Sequence, residues 1–322
     1  MLLFGAVAGG VRRIDTKCAG YVTAIVAVAC VIAGGQASAA PLPVPYGNSE
    51  MVRVATTDWN GAVPGANDYS CKPPVEHPKP VVLVNSSFLS DAVKWTAVAP
   101  YLKNQGYCVF TFNYGREIYD VPPGITGLDS MDSSAAELDA EVAKVRAATG
   151  ASHVDLVAHS QGGFVARYYL NRLGGASEVE RMVLLSSPYT MTGSPVDFAA
   201  LARETVPREL FDAILRNGTI PPIGLNVLDP WVAGAAEELQ PNIQYTEITN
   251  ATDELAFFGG MGVPAGAKNA TTTFINSLCP TDLSMHFAQP YSPTAVALIG
   301  NALDPSKPVP VPCTAVPLYS FG

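Results

Sequence analysis

The chain has 322 residues, 48% of them apolar and only 15% charged, which excludes a disordered chain and allows one large domain or two small ones. Its formal net charge is −9, and three basic groups and one acidic group lie in residues 1–39, so the remainder carries −11. No basic stripe interrupts this acidity, which argues against nucleic acid and anionic membranes as partners and favours a neutral substrate.

Residues 1–39 read as an export signal. Arg12, Arg13 and Lys17 give a positive start, Ala19 to Gly35 carry no charge, and Ala37–Ala40 offer small residues for cleavage. The expected location is therefore extracellular; an uncleaved anchor and lipid attachment at Cys30 are the alternatives. Cys71, Cys108, Cys279 and Cys313 remain after the signal. An even number in an exported chain predicts two disulfides in any of three pairings. The spacings suit no zinc site, so no metal is expected.

Residues 40–80, rich in Pro, Gly and Asn, predict an extended lead-in held by Cys71. A buried strand follows over Pro80–Asn85, then a helix over Ala92–Asn104 that brings Trp95, Val98 and Leu102 to one side. The next strand is Tyr107–Phe112. A long helix follows, with Ser134 and Glu137 as a capping box, Leu138, Val142 and Val145 at helical spacing, and Gly150 as its stop. His153–Ala158 is a strand, Gly163–Leu173 a helix, and Val179–Leu185 and Asn242–Thr249 are further strands. The last helix spans Ser292–Leu303, with Ser292 as cap and Pro293 at its first position. Near-continuous apolar strands alternating with helices predict an α/β fold, a mostly parallel sheet covered on both faces. Its sites belong in loops at the strand carboxyl ends. Between residues 195 and 240 the alternation breaks into an apolar, Pro-interrupted stretch, expected to form a cap-like insertion over a hydrophobic site.

The segment Ala158-His159-Ser160-Gln161-Gly162 sits at a strand-to-helix junction. It has the small-x-Ser-x-Gly form of a turn that lifts a serine hydroxyl above a sheet. An ordinary structural serine is the alternative. A nucleophilic serine needs a base, and the chain has only four histidines. His159 lies in the turn and is expected to point away from Ser160. His153 lies a strand length away and His77 in the lead-in, so His286 is the expected base. Asp253, after a strand end, is the expected acid, with Asp282 its rival; Glu254 is expected to face solvent. Ser160, Asp253 and His286 then follow the chain order that α/β-hydrolases use. The oxyanion donors expected by position are the backbone N–H groups of Gln161 and Ser87, with the Ser87 hydroxyl as a third donor.

These residues bring a resemblance into view. "VVLVNSSF", "GYCVFTFNYG", "VDLVAHSQGGFVARYYL", "TNATDEL" and "DLSMHF" make the chain similar to secreted α/β-hydrolase lipases of actinobacterial type, and more distantly to the yeast lipase B family. The resemblance implies an α/β-hydrolase domain over residues 40–322 that cleaves carboxylic esters, including triacylglycerols, without a cofactor. It assigns Ser160, Asp253 and His286 to the triad and Ser87 and Gln161 to the oxyanion hole. It implies the pairings Cys71–Cys108 and Cys279–Cys313. Where bacterial relatives carry His-Gly, this chain has Asn85-Ser86. The expectation is a secreted, monomeric lipase that meets a lipid interface. The alternatives are a short-chain carboxylesterase or polyesterase, and an inactive hydrolase-fold binding protein.

Overall fold

A computed structural model describes residues 40–115, 125–187, 238–255 and 262–318. The expected export signal at 1–39 and nearly all of the expected cap at 195–240 lie outside these residues.

Six strands form one all-parallel sheet: β1 (Val81–Val84), β2 (Val109–Phe112), β3 (Val154–His159), β4 (Val179–Leu185), β5 (Gln244–Thr249) and β6 (Ala270–Phe274). Their spatial order is β2-β1-β3-β4-β5-β6, so the chain starts near the middle, steps outward once, then returns and runs to the far edge. Seven helices accompany them among the described residues: α1 (Asn48–Thr57), α2 (Asp91–Trp95), α3 (Val98–Asn104), α4 (Met131–Thr149), α5 (Gln161–Arg172), α6 (Ile275–Leu278) and α7 (Pro293–Leu303).

The pleat divides the apolar residues between two layers. Val82, Val84, Leu156, Ala158, Met182 and Leu184 pack with Leu138 and Val142 of α4 and Val165 of α5. Val81, Leu83, Val157, Val183 and Leu185 pack on the opposite face with Trp95, Val98, Leu102 and Ile299. Each buried Val, Leu, Ile or Met among them contributes about 1.5–3 kcal/mol of transfer free energy. Both faces being covered explains why β1 and most of β3 and β4 read as apolar runs rather than as alternation.

Four expectations need correction. The lead-in contains α1, a ten-residue helix in which Met51, Val54 and Ala55, at helical spacing, pack on the core and only Val54 is fully buried. The helix expected over Ala92–Asn104 is two helices broken at Thr96–Ala97. An unbroken helix would drive Pro100 into the carbonyl of Thr96; the break puts Pro100 in the first turn of α3, where no N–H is needed. The cap of α4 is Ser130, whose hydroxyl accepts from Ser133 N at 3.4 Å. Ser134 is buried within the helix, and Glu137 instead accepts from Gly115 N at 2.9 Å. Lastly, β6 was not foreseen as a strand. By contrast, Gly150 ends α4 at φ 79, and Ser292 caps α7 by accepting from Ala295 N at 3.1 Å. Disulfides join Cys71 to Cys108 and Cys279 to Cys313.

Candidate active site

Parallel strands all end at one edge of the sheet, and four loops there carry the candidate residues. Ser160 follows β3 at φ 55, ψ −127, backbone territory that a side chain rarely tolerates. Two hydrogen bonds hold the turn: Ser160 N donates to Leu185 O at 3.1 Å and Gly163 N donates to Ser160 O at 3.0 Å. The requirement for glycine two residues on is now explicit. A Cβ at Gly162 would lie 2.4 Å from Val84 O and 2.5 Å from Asn85 O.

His286 lies in the loop between α6 and α7. Its Nδ1 stands 3.0 and 3.2 Å from the two carboxylate oxygens of Asp253, and both side chains are buried. A carboxylate only accepts, so Nδ1 carries the proton and Nε2 is left with a lone pair. Nε2 is buried and has no hydrogen-bond partner among the described residues. Burial by itself would raise the pKa of Asp253, but the hydrogen bond and charge of His286, helped by Leu255 N, hold it below the ordinary carboxylate value.

Gln289, which the sequence did not single out, braces this pair. Its Nε2 donates to Asp253 Oδ2 at 2.8 Å while its Oε1 accepts from Ser186 Oγ at 2.5 Å. Its only signal was its position three residues after His286. Asp282, the rival acid, does not meet His286. It is buried within the same loop, where its carboxylate accepts from Ser284 N at 3.0 Å and from the Ser292 hydroxyl. Asn250 Nδ2 reaches Asp282 O at 2.9 Å, stitching the acid loop to the base loop. Glu254 is exposed as expected, yet its carboxylate also accepts from His286 N at 2.8 Å. His159 turns its ring toward the base loop, with Nε2 3.0 Å from His286 O.

The loop after β1 brings Ser87 beside Gln161. The Ser87 hydroxyl donates to Gln161 Oε1, so the proton expected for the oxyanion is already engaged. Gln161 is the first residue of α5, and its N–H has no acceptor within the helix. The tight turn of this loop falls at Phe88, φ 68, rather than at Ser86, so serine at 86 needs no glycine-like backbone. Asn85 straps the loop from within, its Nδ2 donating to Leu89 O at 3.0 Å and Thr126 Oγ1 at 3.1 Å. Beside Ser87, Phe88 leaves half its surface exposed. Among the described residues no group of three or more His, Cys, Asp or Glu could hold a metal ion.

A serine in a strained strand-to-helix turn and a histidine paired with a buried carboxylate are the parts of an acyl-transfer site. Comparison with known proteins bears on the scaffold. A family model described as the alpha/beta hydrolase fold matches residues 80–227. Among solved structures, a lipase from Bacillus licheniformis is 19% identical, with 71% of this chain and 95% of that one covered at a TM-score of 0.48. An extracellular alpha/beta-hydrolase from a Paenibacillus species is 14% identical, with 70% and 99% covered at a TM-score of 0.44. A meta-cleavage product hydrolase from Pseudomonas fluorescens is 18% identical, with 71% and 92% covered at a TM-score of 0.42. No curated protein matches the sequence.

Proposed function

Since the chain has the α/β-hydrolase fold, we propose that it is an exported serine hydrolase that cleaves carboxylic esters, with triacylglycerol-type lipids as the substrate class. The observation that carries this reading is the bidentate His286–Asp253 pair, which leaves an unpartnered, buried Nε2 on a loop at the same sheet edge as the strained Ser160.

In the proposed reaction Ser160 Oγ attacks the ester carbonyl and His286 Nε2 takes its proton. Asp253 keeps the proton of Nδ1 in place and stabilises the imidazolium that forms. The carbonyl electrons move onto oxygen, where the N–H groups of Gln161 and Ser87 receive them. Collapse breaks the C–O bond, and His286 returns the proton to the departing alcohol. Water then attacks the acyl-serine with His286 again as base, releasing the carboxylic acid and restoring Ser160. No step calls for a cofactor. The half-exposed Phe88 beside the oxyanion loop supports an apolar substrate, as does the apolar sequence of residues 195–240. The two disulfides support an oxidising, extracellular setting.

A fluorophosphonate probe tests the reading. The wild type takes up label at one site and turns over p-nitrophenyl esters, and Ser160→Ala loses both. A folded wild type that takes up no label would sink the proposal, and a fall in rate from butyrate to palmitate esters would exclude the lipase assignment within it.

A further inference from the structure

Behind the proposed base lies a cluster that the reaction above does not use. His159 is fully buried, its ring centroid 4.7 Å from that of His286, and its Nε2 is 3.0 Å from the His286 carbonyl oxygen. A carbonyl only accepts, so Nε2 of His159 carries the proton and Nδ1 holds a lone pair. That Nδ1 is buried with no partner among the described residues. Lys94, in the last turn of α2, is buried too, and its Nζ likewise has no hydrogen-bond partner among the described residues. Nζ stands 4.7 Å from the centre of the Phe287 ring, and that ring meets the His286 ring edge-on at 5.2 Å. The Lys94 charge is felt at His159, where it adds to burial in holding the imidazole well below its ordinary range. A buried cationic donor and a buried neutral acceptor, each without a partner among the described residues, thus share one cluster packed against the base.

We propose that Lys94 and His159 are positioning residues for His286: His159 fixes the backbone of the base through its carbonyl, and Lys94 sets the charge felt by its ring. The inference rests on the serine-hydrolase reading. The charged and titratable groups around Lys94 are few. His159 comes from the end of β3, His286 from the base loop, Glu254 and Asp253 from the acid loop, and Asp91 from the first turn of α2 itself. Asp91 is engaged with Asn113 Nδ2 at 2.7 Å, and Asp253 with His286. Glu254 favours the Lys94 charge, but burial dominates and brings the Lys94 pKa down to about 7. Below neutrality Lys94 is therefore mostly cationic, and a cation beside an imidazole opposes its protonation.

The sign of the expected effect follows. Removing the Lys94 charge makes the base easier to protonate. The acid limb of kcat/KM, which needs a neutral base, then moves to higher pH. With Lys94 Nζ 4.7 Å from the centre of the Phe287 ring and that ring 5.2 Å from the His286 ring, the two charges lie within about 10 Å, and at an effective dielectric constant of about 20 the shift is on the order of one pH unit. The experiment is the pH profile of kcat/KM on a p-nitrophenyl ester for wild type and Lys94→Met, with Lys94→Gln read in the same way should Lys94→Met fail to fold. His159→Gln, whose amide can still donate to His286 O, is expected to keep the wild-type profile, whereas His159→Leu lowers kcat about 10-fold or more. An unshifted acid limb in a folded Lys94 variant would overturn the proposal, even if kcat falls. A wild type without turnover or label would instead overturn the serine-hydrolase reading itself, so the two failures are separable.

Discussion

Gly162→Ala puts the packing of the turn to a quantitative test. The added methyl would stand 2.4 Å from Val84 O and 2.5 Å from Asn85 O, about 1 Å inside the 3.4 Å at which ordinary contact begins. Both obstacles are backbone, and neither can rotate away. Asn85 O is also held by the Tyr114 hydroxyl at 2.7 Å. Relief must come from sliding α5 off the end of β1 or from pushing the Ser86–Ser87 loop outward. Either route separates Ser87 from Gln161 by about the same 1 Å. Overpacking of this kind costs about 1–3 kcal/mol, so the protein stays folded with a lowered melting temperature. Catalysis is more sensitive: a misplacement of about 1 Å can cost about 100-fold. The expected outcome is a kcat about 100-fold down on a p-nitrophenyl ester, with KM little changed. Gly300→Ala, in α7, serves as the control, because the atoms nearest its methyl belong to the Tyr101 side chain, from 3.0 Å, rather than to backbone. A folded Gly162→Ala protein with wild-type kcat would refute the packing argument. Equal losses in both variants would refute its link to the oxyanion loop.

Asp253→Asn keeps the shape of the pair but removes the charge that orients His286, and kcat is expected to fall by about 10³–10⁴ while the fold survives; rates within tenfold of wild type would mean that Asp253 is not the acid. Asp155, buried at the amino end of β3, is raised to about pKa 7, chiefly by burial and against the pull of Lys79. A folded pKa above the unfolded value means that stability is lost as pH rises from about 4 to 7. Asp155→Asn leaves an oxygen for Arg181 N, which donates to Asp155 Oδ1 at 3.0 Å. Its melting temperature should therefore gain on the wild type across that window and hold the gain above pH 7, and a difference that is flat with pH would contradict the assignment.

Most of the scaffold was legible because burial on both faces writes itself into the sequence. β1 through β4 are rich in Val, Leu, Met and Phe, β5 is marked by its β-branched and aromatic Tyr, Thr and Ile, and their order along the chain singles out the loops that carry Ser160, Asp253 and His286. β6 was not legible, since Ala-Thr-Thr-Thr-Phe on a half-exposed edge has neither an apolar run nor alternation. α1 was hidden differently: Met51, Val54 and Ala55 recur at helical spacing, but one short apolar face inside a Pro-, Gly- and Asn-rich stretch reads as part of a loop. At the site, elimination among four histidines and chain order were enough to propose the pair. The supports were not legible. Gln289, His159 and Lys94 act across the fold, and nothing local marks a glutamine, histidine or lysine as buried. A lysine in a short helix reads as a surface residue, and only packing from α2 and the base loop makes Lys94 otherwise.

The backbone of Ser160 also has a consequence for how such a chain evolves. Holding a non-glycine residue at φ 55 costs about 1–3 kcal/mol, a sizeable share of the margin by which a domain stays folded. Glycine at position 160 would relieve that cost. A population screened only for expression or heat resistance would therefore drift toward losing the hydroxyl, because the screen rewards the loss. Improvement by stability screening alone would thus select against the proposed nucleophile.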